Sequence, residues 1–395
     1  MLIARYLDSS EFGLFALVFT YLELFRTVAD FGVEPVLIRR MVVDRSAWPG
    51  LLKSAIALKL CLATTASLLA LALSGLFGYG DSFRSLLPLA IPSLFATSAT
   101  NVLTVPYFAG LALHRISGIW VASGALYIAA ILGGGIAGFG IHSFIILSVA
   151  YDCMNLIGVF LVSRRKGEIR SGACTRVLVD ILWEAKAPAL ASFFVTSYVR
   201  VGILLVGVWG DMRTVGNFAL ATRLAEGFKL ISGALATSTF PLFTRFAKSG
   251  SRKEINRFFY TLCGLLAGGM VIVALLVQYW LRSFLPIVFP RYGDLGSLLV
   301  PLTWAMVFVF VNMQASALFS GFGFFWLTTC AAAINFVISM VANTMLIPTY
   351  GGIGASWAYL LTEGVNSSFQ LAAATALLVT RHGRLLQPKD IGAPE

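Results

Sequence analysis

The chain has 395 residues, of which 58% are hydrophobic and 12% are charged, and its mean hydropathy is +0.86. This composition is typical of a membrane protein and excludes an ordinary globular domain. The net charge of +11 would favour nucleic-acid binding in a soluble chain. Here most Lys and Arg residues lie between apolar segments, so we predict no nucleic-acid partner.

Eleven apolar segments are long enough to cross a bilayer, since a span needs about 20 mostly apolar residues. Backbone groups inside lipid must satisfy one another's hydrogen bonds, so we predict that these segments are helices. In chain order they occupy 12–37, 51–77, 86–112, 116–137, 141–163, 186–208, 214–243, 258–285, 297–322, 325–347 and 352–380.

The Lys and Arg residues of the connections collect on one side of the membrane, with 19 on that side and 5 on the other. The positive-inside rule places the rich side in the cytoplasm. We therefore predict a multi-pass inner-membrane protein with a cytoplasmic C-terminus. The rich side carries Arg39, Arg40, Arg45, Lys53, Arg115, Arg164, Arg165, Lys166, Arg170, Arg176, Lys186, Arg245, Lys248, Arg252, Lys253, Arg257, Arg381, Arg384 and Lys389. The other side carries Arg5, Arg84, Arg213, Arg282 and Arg291.

The longest connection divides the chain into two predicted bundles. We expect an N-terminal bundle at 1–163, a cytoplasmic linker at 164–185, a C-terminal bundle of six helices at 186–381 and a cytoplasmic tail at 382–395. An odd number of spans places the N-terminus outside, and Met1–Leu7 reads like the end of a helix. We predict that most of a first helix is missing; restoring it would give six helices in each bundle.

Four stretches resemble the polysaccharide flippases of the multidrug/oligosaccharidyl-lipid/polysaccharide (MOP) exporter superfamily. Residues 4–15, ARYLDSSEFGLF, are similar to "ARYLGPxxFGLYxL", and residues 29–39, ADFGVEPVLIR, to "ADLGLxxALIR". Residues 215–224, VGNFALATRL, resemble "VGxYxxAxRL", with Phe240-Pro241-Leu242 closing that segment. Residues 335–356, ending in IPTYGGIGAS, are similar to "NxxLNxxLIPxYGxxGAA". The matches follow the family order along the whole chain.

This resemblance implies an all-α polytopic membrane fold, with two helical bundles around a central cavity as in MATE transporters. The implied substrate is a polyprenyl-diphosphate-linked oligosaccharide. One position departs from the family pattern: Gly202 stands where many members have an Asp in "xRxDxLLxG". Any role that this carboxylate plays in the family is therefore in doubt here.

Ten charged residues lie inside the predicted spans, and each costs on the order of 2.5–3.5 kcal/mol at mid-helix. Most should therefore face a partner or a water-filled cavity. Glu34 lies nearer a helix end. The cations are Arg26, Lys59, Arg200, Arg223 and Lys229, and the acids are Glu23, Asp30, Asp152, Glu226 and Glu363.

Spacing along the sequence suggests which cations are unpaired. Arg26 shares a helix face with Glu23 and Asp30, so it forms either an internal ion pair or part of a cavity lining. Arg200 and Lys59 have no acid within four residues, although Lys59 could instead extend to the nearby membrane surface.

Arg223, Glu226 and Lys229 step by three residues along one predicted helix, which spreads them over an arc of about 120° and leaves a surplus positive charge. Arginine donates paired hydrogen bonds to phosphate oxygens. We predict a diphosphate site formed by Arg200, Arg223, Lys229, Arg26 and Lys59.

Carboxylates buried at membrane depth exchange protons or hold cations, so they are candidates for coupling to H⁺ or Na⁺. The alternative for each is a structural pair with a cation on another helix. The candidates are Asp152, Glu363, Glu226 and Asp30.

The sequence thus predicts a non-enzymatic flippase of undecaprenyl-diphosphate-linked oligosaccharides that works by alternating access and uses no cofactor. A polysaccharide polymerase and a chain-length regulator are expected partners. The alternatives are a cation-coupled multidrug extruder, a peptidoglycan-precursor flippase and a membrane polymerase or ligase. Sugar contacts are expected from polar and aromatic residues that the sequence leaves unranked, namely Asn101, Tyr107, Asn155, Asn312 and Gln314.

Overall fold

The computed structural model describes residues 1–43, 48–165, 175–249 and 252–380. Within these ranges the regular structure is helical, with no strand. The all-helical fold class is therefore confirmed. By its internal contacts the chain divides into a first unit, Met1–Gly216, and a second unit, Asn217–Glu395.

The first unit begins with a short 3₁₀ helix, Ile3–Arg5. Eight helices follow, and the last of them starts in the first unit and ends in the second. They are α1 (Ser9–Asp30), α2 (Val33–Val43), α3 (Trp48–Leu73), α4 (Asp81–Ala109), α5 (His114–Ile136), α6 (Ile141–Arg165), α7 (Thr175–Trp209) and α8 (Met212–Glu226).

The second unit contains five further helices and one π-helical turn. They are α9 (Lys229–Ser249), α10 (Arg252–Leu276), the π turn Val277–Leu281, α11 (Arg282–Val288), α12 (Leu295–Gly321) and α13 (Phe325–Thr380). Helix α12 packs against α9, α10, α11 and α13. A cluster of buried aromatic and aliphatic residues, including Phe243, Phe259 and Phe319, forms part of its core.

Among the described residues, nine helices are long and apolar enough to cross a membrane. One of them, α13, contains two of the predicted spans, because Gly351 adopts φ 57° and ψ −137° and breaks the helix there. Such a conformation is accessible to glycine because it has no Cβ atom. The chain is therefore a multi-pass membrane protein.

The predicted span 214–243 is not one helix. Helix α8 ends at Glu226 and α9 begins at Lys229, with Gly227 and Phe228 between them. The prediction that Arg223, Glu226 and Lys229 lie on one helix is therefore wrong. Hydropathy alone misses such a break because both flanking helices carry apolar residues.

Helix α1 occupies the centre of the first unit. It packs against α3, α4, α6 and α7. Its neighbour α2 contributes Val33, Leu37 and Met41 to a buried cluster that also includes Ala55 of α3 and Ile181 of α7. The charged face of α1, which carries Glu23, Arg26 and Asp30, therefore lies among the other helices of the unit and is partly buried.

The bundle boundary at 164–185 remains a prediction. Helix α7, which the sequence assigns to the second bundle, packs against α1, α2 and α3. Residues 166–174 of the predicted linker lie outside the described residues, as does the predicted tail 382–395.

Two helix starts have related sequences. Residues 8–17, DSSEFGLFAL, and 211–220, DMRTVGNFAL, share Asp, Gly, Phe, Ala and Leu at equivalent positions. Asp8 caps α1 by accepting hydrogen bonds from the backbone N–H groups of Ser10 and Glu11. Asp211 likewise accepts from the backbone of Thr214, and the hydrogen bonds from the Thr214 side chain and backbone lower the pKa of Asp211.

The glycines of these two motifs bring the backbones of α1 and α8 together. A Cβ atom on Gly13 would lie 1.9 Å from the carbonyl oxygen of Met212, and one on Gly216 would lie 1.8 Å from that of Ser9. The contact is reciprocal, since Met212 and Ser9 hold equivalent positions in the two motifs. Only glycine fits at either position without moving the backbone.

We predict that Gly13→Ala lowers the free energy of unfolding by about 1–3 kcal/mol, because the added methyl group forces the two backbones apart. The measurement is the melting temperature of the purified chain in detergent. Gly118→Ala is the matched control, because a Cβ atom there meets nothing within 4 Å. Equal melting temperatures for the two variants would contradict this contact.

Candidate functional site

The charged face of α1 carries Glu23, Arg26 and Asp30. Its first ion pair joins α1 to α7. Arg200 Nε lies 2.9 Å from Glu23 Oε2, and Arg200 Nη2 donates to Glu23 Oε1 at 3.2 Å. The Arg200 side chain is 11% exposed. The expectation that Arg200 has no acidic partner is therefore wrong, because its acid comes from a helix distant in sequence. The two parallel bonds fix the guanidinium plane.

The second pair joins α1 to α3. Lys59 Nζ lies 2.6 Å from Asp30 Oδ1 and also donates to the Asp30 backbone carbonyl at 3.0 Å. The Lys59 side chain is 1% exposed, so it does not extend to the membrane surface. Lys59 is thus a buried, neutralised cation, contrary to the expectation from its local sequence.

The third charge of this face, Arg26, pairs with neither acid of its own helix. Its Nη2 donates to Ser93 Oγ of α4 at 3.2 Å, and its Nε is buried without a hydrogen-bond partner. The Ser93 hydroxyl in turn donates to Asp152 Oδ2 of α6. Among the described residues no carboxylate lies within ion-pair distance of Arg26. The guanidinium therefore retains donors for a further acceptor.

The charges of this interior do not leave a positive surplus. Among the described residues of this face and of the two cavities beside it, the cations and acids are equal in number. The cations are Arg26, Arg39, Lys59 and Arg200, and the acids are Glu23, Asp30, Glu34 and Asp152. The prediction of an unneutralised cationic interior is wrong for the first unit. The sequence identified the charged residues correctly. It could not show which cation pairs with which acid, because the partners lie on different helices.

Two cavities adjoin this charged face within the first unit. The larger, of about 700 Å³, is lined by Thr27 and Asp30 of α1, by Glu34 and Arg39 of α2 and by Thr196 of α7. The smaller, of about 480 Å³, lies among α2, α4, α5 and α6. Glu34 lines both cavities. Sequence reasoning identified neither Ser93 nor the role of Glu34.

The second unit holds the remaining predicted site residues. Arg223 Nη1 lies 3.6 Å from Glu226 Oε2, one turn along α8. Lys229 lies over the Tyr359 ring, with Nζ 5.3 Å from the centroid, and interacts electrostatically with Glu363. Arg223 and Glu226 thus form an ion pair, and Lys229 interacts with Glu363 electrostatically.

Glu363 is buried, with 2% of its surface exposed. Asn312 Nδ2 donates to Glu363 Oε2 at 2.9 Å. An amide donor and a nearby cation both stabilise a carboxylate in a low-dielectric interior. Glu363 is therefore held by neutral and charged partners together.

Residues 2–285 match the model of a family described as polysaccharide biosynthesis protein. The chain belongs to this family. A comparison with curated proteins found no match.

Solved structures share the fold. The chain is similar to an inward-facing multidrug resistance MATE family transporter of the MOP superfamily, with a TM-score of 0.76, 15% identity and coverage of 96% of this chain and 93% of that chain. It is also similar to the lipid II flippase MurJ in an inward closed conformation, with a TM-score of 0.74, 15% identity and coverage of 95% and 83%. A MOP superfamily transporter from Pyrococcus furiosus has a TM-score of 0.61, 14% identity and coverage of 93% and 87%. The predicted MATE-like fold is thus confirmed.

We predict that Asp30→Asn destabilises the chain more than Lys59→Met. Asp30→Asn leaves the buried Lys59 ammonium without its charge partner, at a cost of about 3–5 kcal/mol. Lys59→Met costs less, because Asp30 is 32% exposed and borders a cavity, so its carboxylate can be hydrated. The measurement is thermal unfolding of the two purified variants and of the double variant, which should recover most of the loss. An Asp30→Asn protein as stable as the wild type would rule out this pair as a structural element.

Proposed function

We propose that the chain is a flippase that moves polyprenyl-diphosphate-linked oligosaccharides across the bacterial inner membrane for surface polysaccharide synthesis. One observation carries the proposal: a member of a polysaccharide biosynthesis family has the fold of MOP superfamily transporters, among them a lipid II flippase. Undecaprenyl diphosphate would be the carrier. The chain acts as a transporter without a cofactor, its C-terminus lies in the cytoplasm, and it delivers units to a polymerase and a chain-length regulator.

The electrostatics of the first unit support a diphosphate ligand at Arg26. The diphosphate is the part of the substrate that cannot cross hydrocarbon unaided. Arg26 has a buried Nε without a hydrogen-bond partner, and the next residue, Thr27, lines the larger cavity. Arg200 and Lys59 are each paired with an acid, so they would attract the diphosphate less strongly than Arg26. Arg223 and Lys229 remain candidates for the same role in the second unit.

Asp152 is the best-placed carboxylate for coupling to H⁺ or Na⁺. It accepts the Ser93 hydroxyl hydrogen bond, while Ser93 accepts from Arg26. Protonating Asp152 removes its negative charge and weakens it as an acceptor for the Ser93 hydroxyl, which changes how firmly Arg26 is held. Asp30, Glu226 and Glu363 are further candidates, each of which already interacts with a cation.

A second candidate function has its own support. The described interior of the first unit has no surplus of positive charge, and Asp30, Glu34 and Asp152 line its cavities, which suits organic cations. Two similar structures are multidrug resistance transporters. A multidrug extruder is therefore the alternative.

Mass spectrometry of lipid extracts from a deletion strain separates the two functions. The flippase proposal predicts accumulation of a polyprenyl-diphosphate oligosaccharide together with loss of surface polymer. A normal lipid profile with new sensitivity to cationic drugs would instead support the extruder.

In the same strain, we expect complementation with Arg26→Gln to export roughly tenfold less polymer than the wild type, because the diphosphate loses its charge-assisted donors. Arg84→Gln is the control, since Arg84 is 50% exposed at the start of α4 and lies outside both cavities. Both variant proteins are quantified in the membrane fraction. Equal export by the two variants would exclude Arg26 from the diphosphate site.

A further inference from the structure

The smaller cavity of the first unit, which we name the α4 pocket, has a wall of hydroxyl and amide groups. Thr97, Thr100, Asn101 and Thr104 lie on one face of α4 and line it. Each threonine hydroxyl donates to a carbonyl of its own helix, at 2.7 Å in all three cases. Their hydrogens are thus occupied, and the oxygen lone pairs remain available as acceptors.

Aromatic side chains line the same pocket. Phe108 comes from α4, Trp120 from α5 and Tyr151 from α6. Tyr151 is stacked on Tyr127, with ring centroids 4.8 Å apart and an interplanar angle of 27°. This stacking restricts the Tyr151 ring. Rigid aromatic faces carry negative potential and attract polarised C–H groups.

Two further polar groups contribute to the pocket from α6. Asn155 is fixed because its Oδ1 accepts from Ser123 Oγ at 2.7 Å and its Nδ2 donates to the Tyr151 carbonyl at 3.0 Å. Asp152 supplies a carboxylate acceptor. The pocket therefore combines several acceptors with few free donors, which suits a ligand rich in hydroxyl groups.

We propose that the α4 pocket binds the glycan of the transported lipid, with hydroxyl groups directed to the α4 threonines and a C–H face of a sugar ring on Trp120 or Tyr151. A pyranose ring presents a hydroxyl rim and apolar C–H faces, matching these walls. This inference rests on the proposed function. It makes the pocket the part of the chain that distinguishes one repeat unit from another, because a site built to bind hydroxyl groups rejects analogues that lack them.

The pocket lining also shows which of the polar residues named from the sequence could contact a sugar there. Asn101 and Asn155 line it. Tyr107 is buried, and its hydroxyl is within hydrogen-bonding distance of Ser163 Oγ. Asn312 donates to Glu363, and Gln314 accepts from Thr239 in the second unit. Of these five residues, only Asn101 and Asn155 line the α4 pocket.

Photocrosslinking in living cells tests this assignment with the cell's own glycolipid as the probe. The photoreactive residue p-benzoylphenylalanine is placed at one of three positions. Phe108 lies in the α4 pocket and Ile38 in the larger cavity. Leu126 is the control, since it is 59% exposed on α5 and lines neither cavity. Cells receive tritiated sugar before irradiation. The purified protein is then treated with mild acid, which cleaves glycan from the diphosphate. Label that survives acid marks a direct bond to the glycan, whereas a bond to the polyprenyl tail loses its label.

We expect acid-stable label at position 108 and none at position 126. Label at position 38 with none at position 108 would overturn the glycan pocket but leave the proposed function intact. No sugar label at either 108 or 38 would contradict both. Equal acid-stable label at positions 108 and 126 would also overturn the pocket, since the contact would not be specific to it.

A second pair of variants tests the aromatic wall. With the photoreactive residue kept at position 108, Trp120→Ala should lower the acid-stable label about tenfold, because a stacking face is lost. Trp280→Ala is the control, since Trp280 is 69% exposed in the π turn. Undiminished label in the Trp120→Ala protein would contradict the stacking contact.

Discussion

The structure of the first unit depends on a single constraint: a charge inside an apolar helix bundle must have a partner. Helix α1 carries three charges on one face, and each interacts with a different neighbouring helix. Glu23 pairs with Arg200 of α7, Arg26 bonds to Ser93 of α4, and Asp30 pairs with Lys59 of α3. The charged face therefore connects four helices around the two cavities. Replacing one member of a buried pair leaves the other uncompensated, so these interactions also fix the helix positions.

This arrangement gives the three cations of the charged face and its partners two different roles. Lys59 and Arg200 stabilise the helix packing, whereas Arg26 is the candidate for ligand binding. Lys59 and Arg200 are held at 2.6 Å and 2.9 Å from carboxylates, so their attraction for a ligand is reduced. Arg26 has only a neutral hydroxyl as its hydrogen-bond partner among the described residues, and that hydroxyl is bonded to Asp152. A ligand anion and a coupling ion could thus influence the same three residues. In the proposed mechanism, ion exchange at Asp152 is linked to diphosphate binding through Ser93.

The membrane-spanning segments could largely be predicted from the sequence, because hydropathy and loop charge act locally along the chain. The residue resemblance also indicated the MATE-like fold and a polysaccharide family, in agreement with the solved structures and the family model. Pairings could not be predicted, since Glu23 and Arg200 are separated by 177 positions and Asp30 and Lys59 by 29. The break at Gly227–Phe228 and the reciprocal approach of Gly13 and Gly216 were also missed. Each depends on tertiary packing that helical periodicity does not contain.

Reconstitution of the purified chain in liposomes gives the most direct test of the central claim. The liposomes contain tritiated glycolipid extracted from the deletion strain, and brief oxidation with external periodate on ice reports the glycan exposed on the outer leaflet. The account predicts that the chain makes the inner-leaflet glycolipid accessible, and that Arg26→Gln liposomes retain a protected pool. If liposomes with wild-type protein show the same oxidised fraction as protein-free liposomes, the chain is not a flippase for this lipid.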